Sequence, residues 1–239
     1  MLFNFKGIVL TACAAVVCLV SITGADESPV NPDTLPMFGQ PQLTRPRNLK
    51  EADEVFIREN TLRYQSRKTA SDAFAAQGWQ ALRGKQLDAA ILSFNRAWLL
   101  NTKNYTAFWG FGAVLSARGR LLEAIEQLET ARELLDEPAQ RSALLADLAT
   151  LHSEYAASLP ADEVLERAQR FVVANNRFTE CLENNPSFAG GWREWAISLY
   201  EQERYSEAWA KVKRARELRA ESFPPDFLKK LSDKMAEPK

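Results

Sequence analysis

The sequence predicts an all-α chain, a solenoid of stacked helical hairpins with about four repeats, one of them extended, and capping helices at the ends. Three observations carry this. Ala97, Ala131 and Ala215 each follow an apolar residue by three positions (Phe94, Leu128, Val212) and another alanine by seven (Ala90, Ala124, Ala208). A small residue, Gly78, Gly112 or Ala196, lies nineteen positions before each of them. The first two copies stand 34 residues apart, and the segments between carry helical periodicity only. A unit this short cannot bury its apolar face alone, so neighbouring copies must stack.

Residues 1–25 are laid out as a secretory signal: Lys6, an apolar run over 7–22, then Thr23, Gly24 and Ala25 before Asp26. Cleavage after Ala25 is the expectation, giving an exported protein. Two alternatives stand beside it. Residues 10–13 resemble a lipoprotein cleavage box ending at Cys13, and the apolar run is an uncleaved anchor if retained, although shorter than the roughly 20 residues a span prefers. Contact with a membrane is expected only if the segment stays on the chain. Loss of Cys13 and Cys18 with the signal leaves Cys181 alone and allows no internal disulfide. The full chain balances 30 basic against 31 acidic residues, without the basic excess of a nucleic-acid binder.

Over 26–47 prolines recur (Pro29, Pro32, Pro36, Pro41, Pro46) with few large apolar residues, so a flexible tether without a core is expected. Asn48 and Glu51 have capping-box spacing and open the solenoid of 48–239 with a helix carrying Leu49, Ala52, Val55, Phe56 and Leu62. That helix is expected to cap the first repeat.

The repeats are 71–104, 105–138, 139–188 and 189–222. In the first, Phe74, Leu82, Leu87, Ile91, Phe94 and Trp98 fill a core at helical spacing. In the second, Phe108, Gly112, Leu115, Gly119, Leu121, Ala124, Leu128, Ala131 and Pro138 occupy matching places. Small residues at the crossing let two helices approach closely, and Gly84 and Gly119 are read as left-handed caps of the first helices. The third repeat is about 16 residues too long, with Cys181 in the alanine place as a small buried filler and Phe178 three before it. Pro160 splits its excess into eight residues per helix, about 12 Å of extra hairpin. The added tip carries Tyr155, Leu159, Val164 and Leu165, apolar groups that something should cover, such as a second copy of the protein or another partner. Residues 225–236, with Phe227, Leu228 and Leu231, are read as the closing cap.

This set of residues resembles the tetratricopeptide repeat family, and residues 94–101 with 108–112 look like its small exported bacterial members. The resemblance implies a protein-interaction module of a bacterial periplasm, with a partner held in a concave groove lined by the first helix of each repeat. Carried over, the inward positions are Trp79 and Arg83, Trp109 and Ala113, Ala143 and Asp147, then Arg193, Ile197 and Tyr200. Trp79 and Trp109 stand where the repeat asks for no large core residue, which suits binding; packing between helices is the alternative. Family members that grip acidic chain ends use lysine and asparagine where this chain has Ala75, Trp79, Gly110 and Ala113, so no such clamp is expected.

Enzymatic signatures are missing from the sequence. His152 is the only histidine and is read as solvated or half-buried on a helix. Ser153 and Glu154 beside it point elsewhere and make no triad. No pair of histidines or cysteines has metal spacing, and no glycine-rich phosphate loop opens a helix. No cofactor or metal is expected. The favoured expectation is an exported, non-enzymatic interaction module or scaffold that binds a peptide or partner helix. The alternative is a structural subunit of a cell-envelope complex, held through the extended hairpin 139–188 and a basic last repeat (Lys211, Lys213, Arg214, Arg216, Arg219).

Overall fold

A computed structural model describes residues 31–238 of the chain; the signal expected over 1–25 lies outside them. Among the described residues ten α-helices and no strand follow one another: α1 (Arg47–Arg63), α2 (Arg67–Arg83), α3 (Leu87–Leu100), α4 (Tyr105–Ala117), α5 (Leu121–Leu134), α6 (Arg141–Ser158), α7 (Val164–Asn184), α8 (Ala189–Glu201), α9 (Tyr205–Glu217) and α10 (Phe227–Lys234). The pairs α2/α3, α4/α5, α6/α7 and α8/α9 are antiparallel hairpins, and each packs on the next. The fold is a helical-hairpin solenoid.

The small residues do the work that their spacing implies. A Cβ on Gly112 would lie 1.9 Å from the Leu128 side chain and 3.0 Å from the Ala124 carbonyl, so α4 and α5 meet only because none is there. Phe94, fully buried, is slotted between two glycines: a Cβ on Gly78 would come within 2.5 Å of its ring and one on Gly110 within 2.3 Å. One aromatic ring thus ties α3 to both α2 and α4. Buried polar bonds repeat with the helices. Ser71 donates to the Ala97 carbonyl (2.7 Å) and accepts from Asn104 (2.7 Å), which also caps α4 through the Thr106 N–H (2.9 Å). In the third repeat Ser142 donates to the Cys181 carbonyl (3.0 Å) and accepts from Asn184 (2.8 Å). Cys181 is buried, with its thiol pushed up to about 12 by burial, then by Asp147 and Glu180. It is a packing residue.

Several expectations are corrected. Residues 32–45 are not a free tether. Phe38 is buried, its N–H donates to Asn95 Oδ1 (3.2 Å), and Asn95 Nδ2 donates to the Leu35 carbonyl (2.8 Å). Arg118 donates to the Thr34 carbonyl (2.7 Å), and the Arg45 guanidinium lies 3.8 Å over the Phe38 ring. The segment is a strap across α3, held by polar groups that apolar periodicity does not report. Helix α1 begins at Arg47 behind Pro46, with no side-chain cap, so the Asn48–Glu51 box does not form. Its grip on the first repeat is slight: no α1 residue is fully buried, and Phe56 meets Phe74 at 5.3 Å. At the other end α10 buries Phe227 and Leu231, and Trp209 donates to the Met235 carbonyl (2.8 Å).

The long hairpin is unequal. Helix α6 has 18 residues and α7 has 21, against 13 and 14 in α4 and α5. Five and seven extra residues add about 8–10 Å at 1.5 Å per residue, less than eight on each side would; loops take up the rest. Helix α6 packs against α5, α7 and α8 and keeps Asp147 and Glu154 on an exposed face, while the sides turned to its neighbours are covered and His152 is buried, 4% exposed.

The turns correct a further detail. Gly119 has φ +75° as expected, but Gly84 has φ −79°; the left-handed residue there is Lys85, at +58°. Lys85 stands 34 residues before Gly119, and Glu203 (φ +59°) fills the same place in the last repeat. Side chains in that conformation are strained by about 1–2 kcal/mol. Lys85→Gly and Glu203→Gly are each expected to stabilise the fold by about 1 kcal/mol, after glycine's own entropic cost. Urea denaturation checks this, and an unchanged midpoint would contradict it.

Candidate functional site

The first helices α2, α4, α6 and α8 carry the residues singled out for binding. Trp79 on α2 and Trp109 on α4 are half-buried and touch edge to face, with ring centroids 5.9 Å apart. Trp79 also meets Phe94 edge to face at 5.6 Å. The ring wedged between Gly78 and Gly110 therefore backs Trp79, and Trp79 in turn meets Trp109. Trp109 is fixed from the far side as well, because its indole N–H donates to Asp147 on α6 (2.8 Å). Sideways packing and an open position, the two alternatives read from the sequence, are both realised in these rings.

Two hollows flank the pair. One, of about 560 Å³, is lined by Asp72, Ala76, Trp79, Arg83, Tyr105 and Thr106, among others. The other, of about 210 Å³, lies between α4 and α6, with Trp109, Ala113, Leu128, Asp147, Leu151 and Glu154 in its lining. Spacings of three and four along α6 put Asp147, Thr150 and Glu154 on one face. The electrostatics here are uneven. Crowding by protein raises the Asp147 carboxyl to about 6; the Trp109 N–H opposes the rise and Glu194 on α8 adds to it. Glu154 is raised too, by burial first and then by Glu194 and Asp147. Among the described residues neither Asp147 nor Glu154 has an ion-pair partner.

The remaining site residues do not join this wall. Arg193 donates to the Ser222 carbonyl (3.1 Å) and pairs with Glu194. Tyr200 packs on Tyr205 and Phe227, at 5.7 Å from each, inside the C-terminal cluster. Both face the closing cap, which covers the side of α8 expected to stay open. Arg83 is exposed at the rim of the larger hollow. Glu154 and Thr150 were not singled out as binding residues. Their distance of seven and three residues from Asp147 was the available signal.

At the hairpin tip, Val164 and Leu165 are 64% and 72% exposed. Tyr155 and Leu159 are half-buried by the chain itself: the Tyr155 hydroxyl donates to Glu166 (3.2 Å), and Arg170 lies 4.9 Å over its ring. Arg167 closes the turn by donating to the Leu159 and Pro160 carbonyls (2.6 and 2.7 Å). In the last repeat Lys211 lies 3.8 Å over Trp195, while Arg214 and Arg216 pair with Glu217 and Glu237, so much of the basic face is internally partnered.

Among the described residues no group of three or more His, Cys, Asp or Glu side chains is placed to hold a metal ion, and no helix is long and apolar enough to cross a membrane. No protein-family model matches the chain, and no curated protein is similar to it. Solved structures that resemble it include the crystal structure of YrrB, a TPR protein with an unusual peptide-binding site, at 18% identity over 77% of this chain and 97% of that one, with a TM-score of 0.33.

Proposed function

We infer that the chain is an exported, non-enzymatic interaction module or assembly scaffold, which holds an extended peptide or a partner's helix across Trp79 and Trp109. The observation that carries this reading is the tryptophan pair. Two large rings sit half-exposed between two hollows, Trp79 backed by Phe94 and Trp109 held by Asp147. Rings fixed before a partner arrives lose little entropy on binding, and tryptophan supplies much contact area. Export rests on the signal-like layout of residues 1–25, and with it a bacterial periplasm as the place of action.

The decisive experiment is partner capture from an envelope extract of the native host. Trp79→Ala with Trp109→Ala is expected to abolish capture while helical content stays close to wild type. Capture that survives the double change would place the binding surface elsewhere. The exposed Val164 and Leu165 favour a second reading, a structural subunit docked through its hairpin tip. Replacing 156–164 by a short turn separates the two, because only that reading expects loss of assembly or of a self-associated form.

A further inference from the structure

The smaller hollow has a chemical character of its own. It is walled by Trp109 and floored by Leu128 and Leu151, with the Asp147 and Glu154 carboxylates at its side. Thr150, also in the lining, has a hydroxyl with no hydrogen-bond partner. Apolar walls, an aromatic ring and two carboxylates without a counter-cation complement a long side chain with an apolar stem and a positive head. Lysine and arginine have that shape. Resting on the groove reading above, we propose that the hollow between α4 and α6 takes a lysine or arginine side chain of the bound segment, stacked on Trp109 and paired with Asp147 and Glu154, so that the partner is a peptide with a basic anchor.

Two further features fit. Both carboxyls are held above their ordinary range, Asp147 by crowding and then by Glu194, Glu154 by crowding and then by Glu194 and Asp147, and a neighbouring cation would offset the repulsion between these acidic groups. Arg193 already partners Glu194, so the carboxylates left for a ligand are the two on α6. Asp147 keeps its Trp109 bond while doing so, because a carboxylate accepts from several donors at once.

The test uses the full chain and a displayed random heptapeptide library. Selected peptides are expected to share an arginine or lysine beside apolar residues. Replacing a selected arginine by citrulline, which keeps the shape and removes the charge, or a selected lysine by norleucine, is expected to weaken binding about tenfold. Asp147→Asn with Glu154→Gln is expected to weaken the basic peptide similarly and to leave the neutral one unchanged. The same double variant is expected to be at least as stable as wild type, since it removes two unpaired carboxylates; this separates lost recognition from lost folding. Selected peptides that need Trp79 and Trp109 yet bind equally well with the neutral residue would overturn the basic anchor and leave the groove reading standing. A library that yields no peptide dependent on the two tryptophans would overturn both.

Discussion

Phe94→Ala is expected to remove about 3–5 kcal/mol of folding stability, the range for truncating a fully buried phenylalanine. That is a large share of what a domain of this size ordinarily holds. The ring is fully buried, and it joins α2, α3 and α4 through the slots at Gly78 and Gly110. Its loss opens a cavity shared by two repeats and removes the support beneath Trp79. Gly110→Ala approaches the same contact from the other side: its Cβ would lie 2.3 Å from the ring, an overpacking expected to cost about 1–3 kcal/mol. If the slot is the cause, Gly110→Ala should cost much less in a Phe94→Leu background, and the two changes will fail to add. Urea denaturation of wild type, Phe94→Leu, Gly110→Ala and their double variant, with Phe94→Ala beside them, measures this. A loss under 1 kcal/mol for Phe94→Ala would show that the repeats do not depend on the wedge.

Acid is expected to weaken the fold through His152. Both ring nitrogens are buried without hydrogen-bond partners, and burial, then Arg170, with a smaller contribution from Arg177, lowers the pKa to about 4, against the opposing pull of Glu129. A histidine held neutral in the fold costs nothing above its unfolded pKa near 6.5. As the pH falls from there to 4, the unfolded chain takes up a proton that the folded one refuses. Stability then drops by about 1.4 kcal/mol per pH unit, about 3 kcal/mol in all. Asp147 and Glu154 act in the opposite direction, because their raised carboxyls gain protons in the fold first. The histidine is isolated by comparing wild type with His152→Leu at pH 7.5 and 4.5. The variant is expected to gain most of that amount relative to wild type at the lower pH, and parallel profiles would show that the ring is protonated in the fold or reached by water.

The hairpins were legible because backbone approach demands small residues at fixed places, and Gly78, Gly112 and Ala196 have no other use at a spacing of nineteen before an alanine. The strap over 32–45 was not, since prolines and sparse apolar residues read as an extended tether. What pins it is chiefly a buried amide, Asn95, on the helix it crosses, together with Arg118 on the Thr34 carbonyl. His152 was misplaced because an apolar stripe describes a helix with one covered side, whereas α6 has neighbours on three. The candidate site was legible in part. Trp79, Trp109 and Asp147 stand out by residue type and family position, but Arg193 and Tyr200 occupy equivalent positions that the short α10 and the turn before it cover. The hollow at Glu154 depends on how α4 and α6 lie against one another, and one helix's sequence does not contain that relation.

Photo-crosslinking places the partner directly. A benzophenone side chain at Ala76, exposed in the hollow beside Trp79, is compared with one at Val172, exposed on the extended helix α7. Each variant is incubated with an envelope extract of the native host and irradiated. A partner joined at position 76 and absent at 172, and lost on adding Trp79→Ala and Trp109→Ala, is the expected result. A partner joined at 172 and not at 76 would contradict the groove and move recognition to the hairpin.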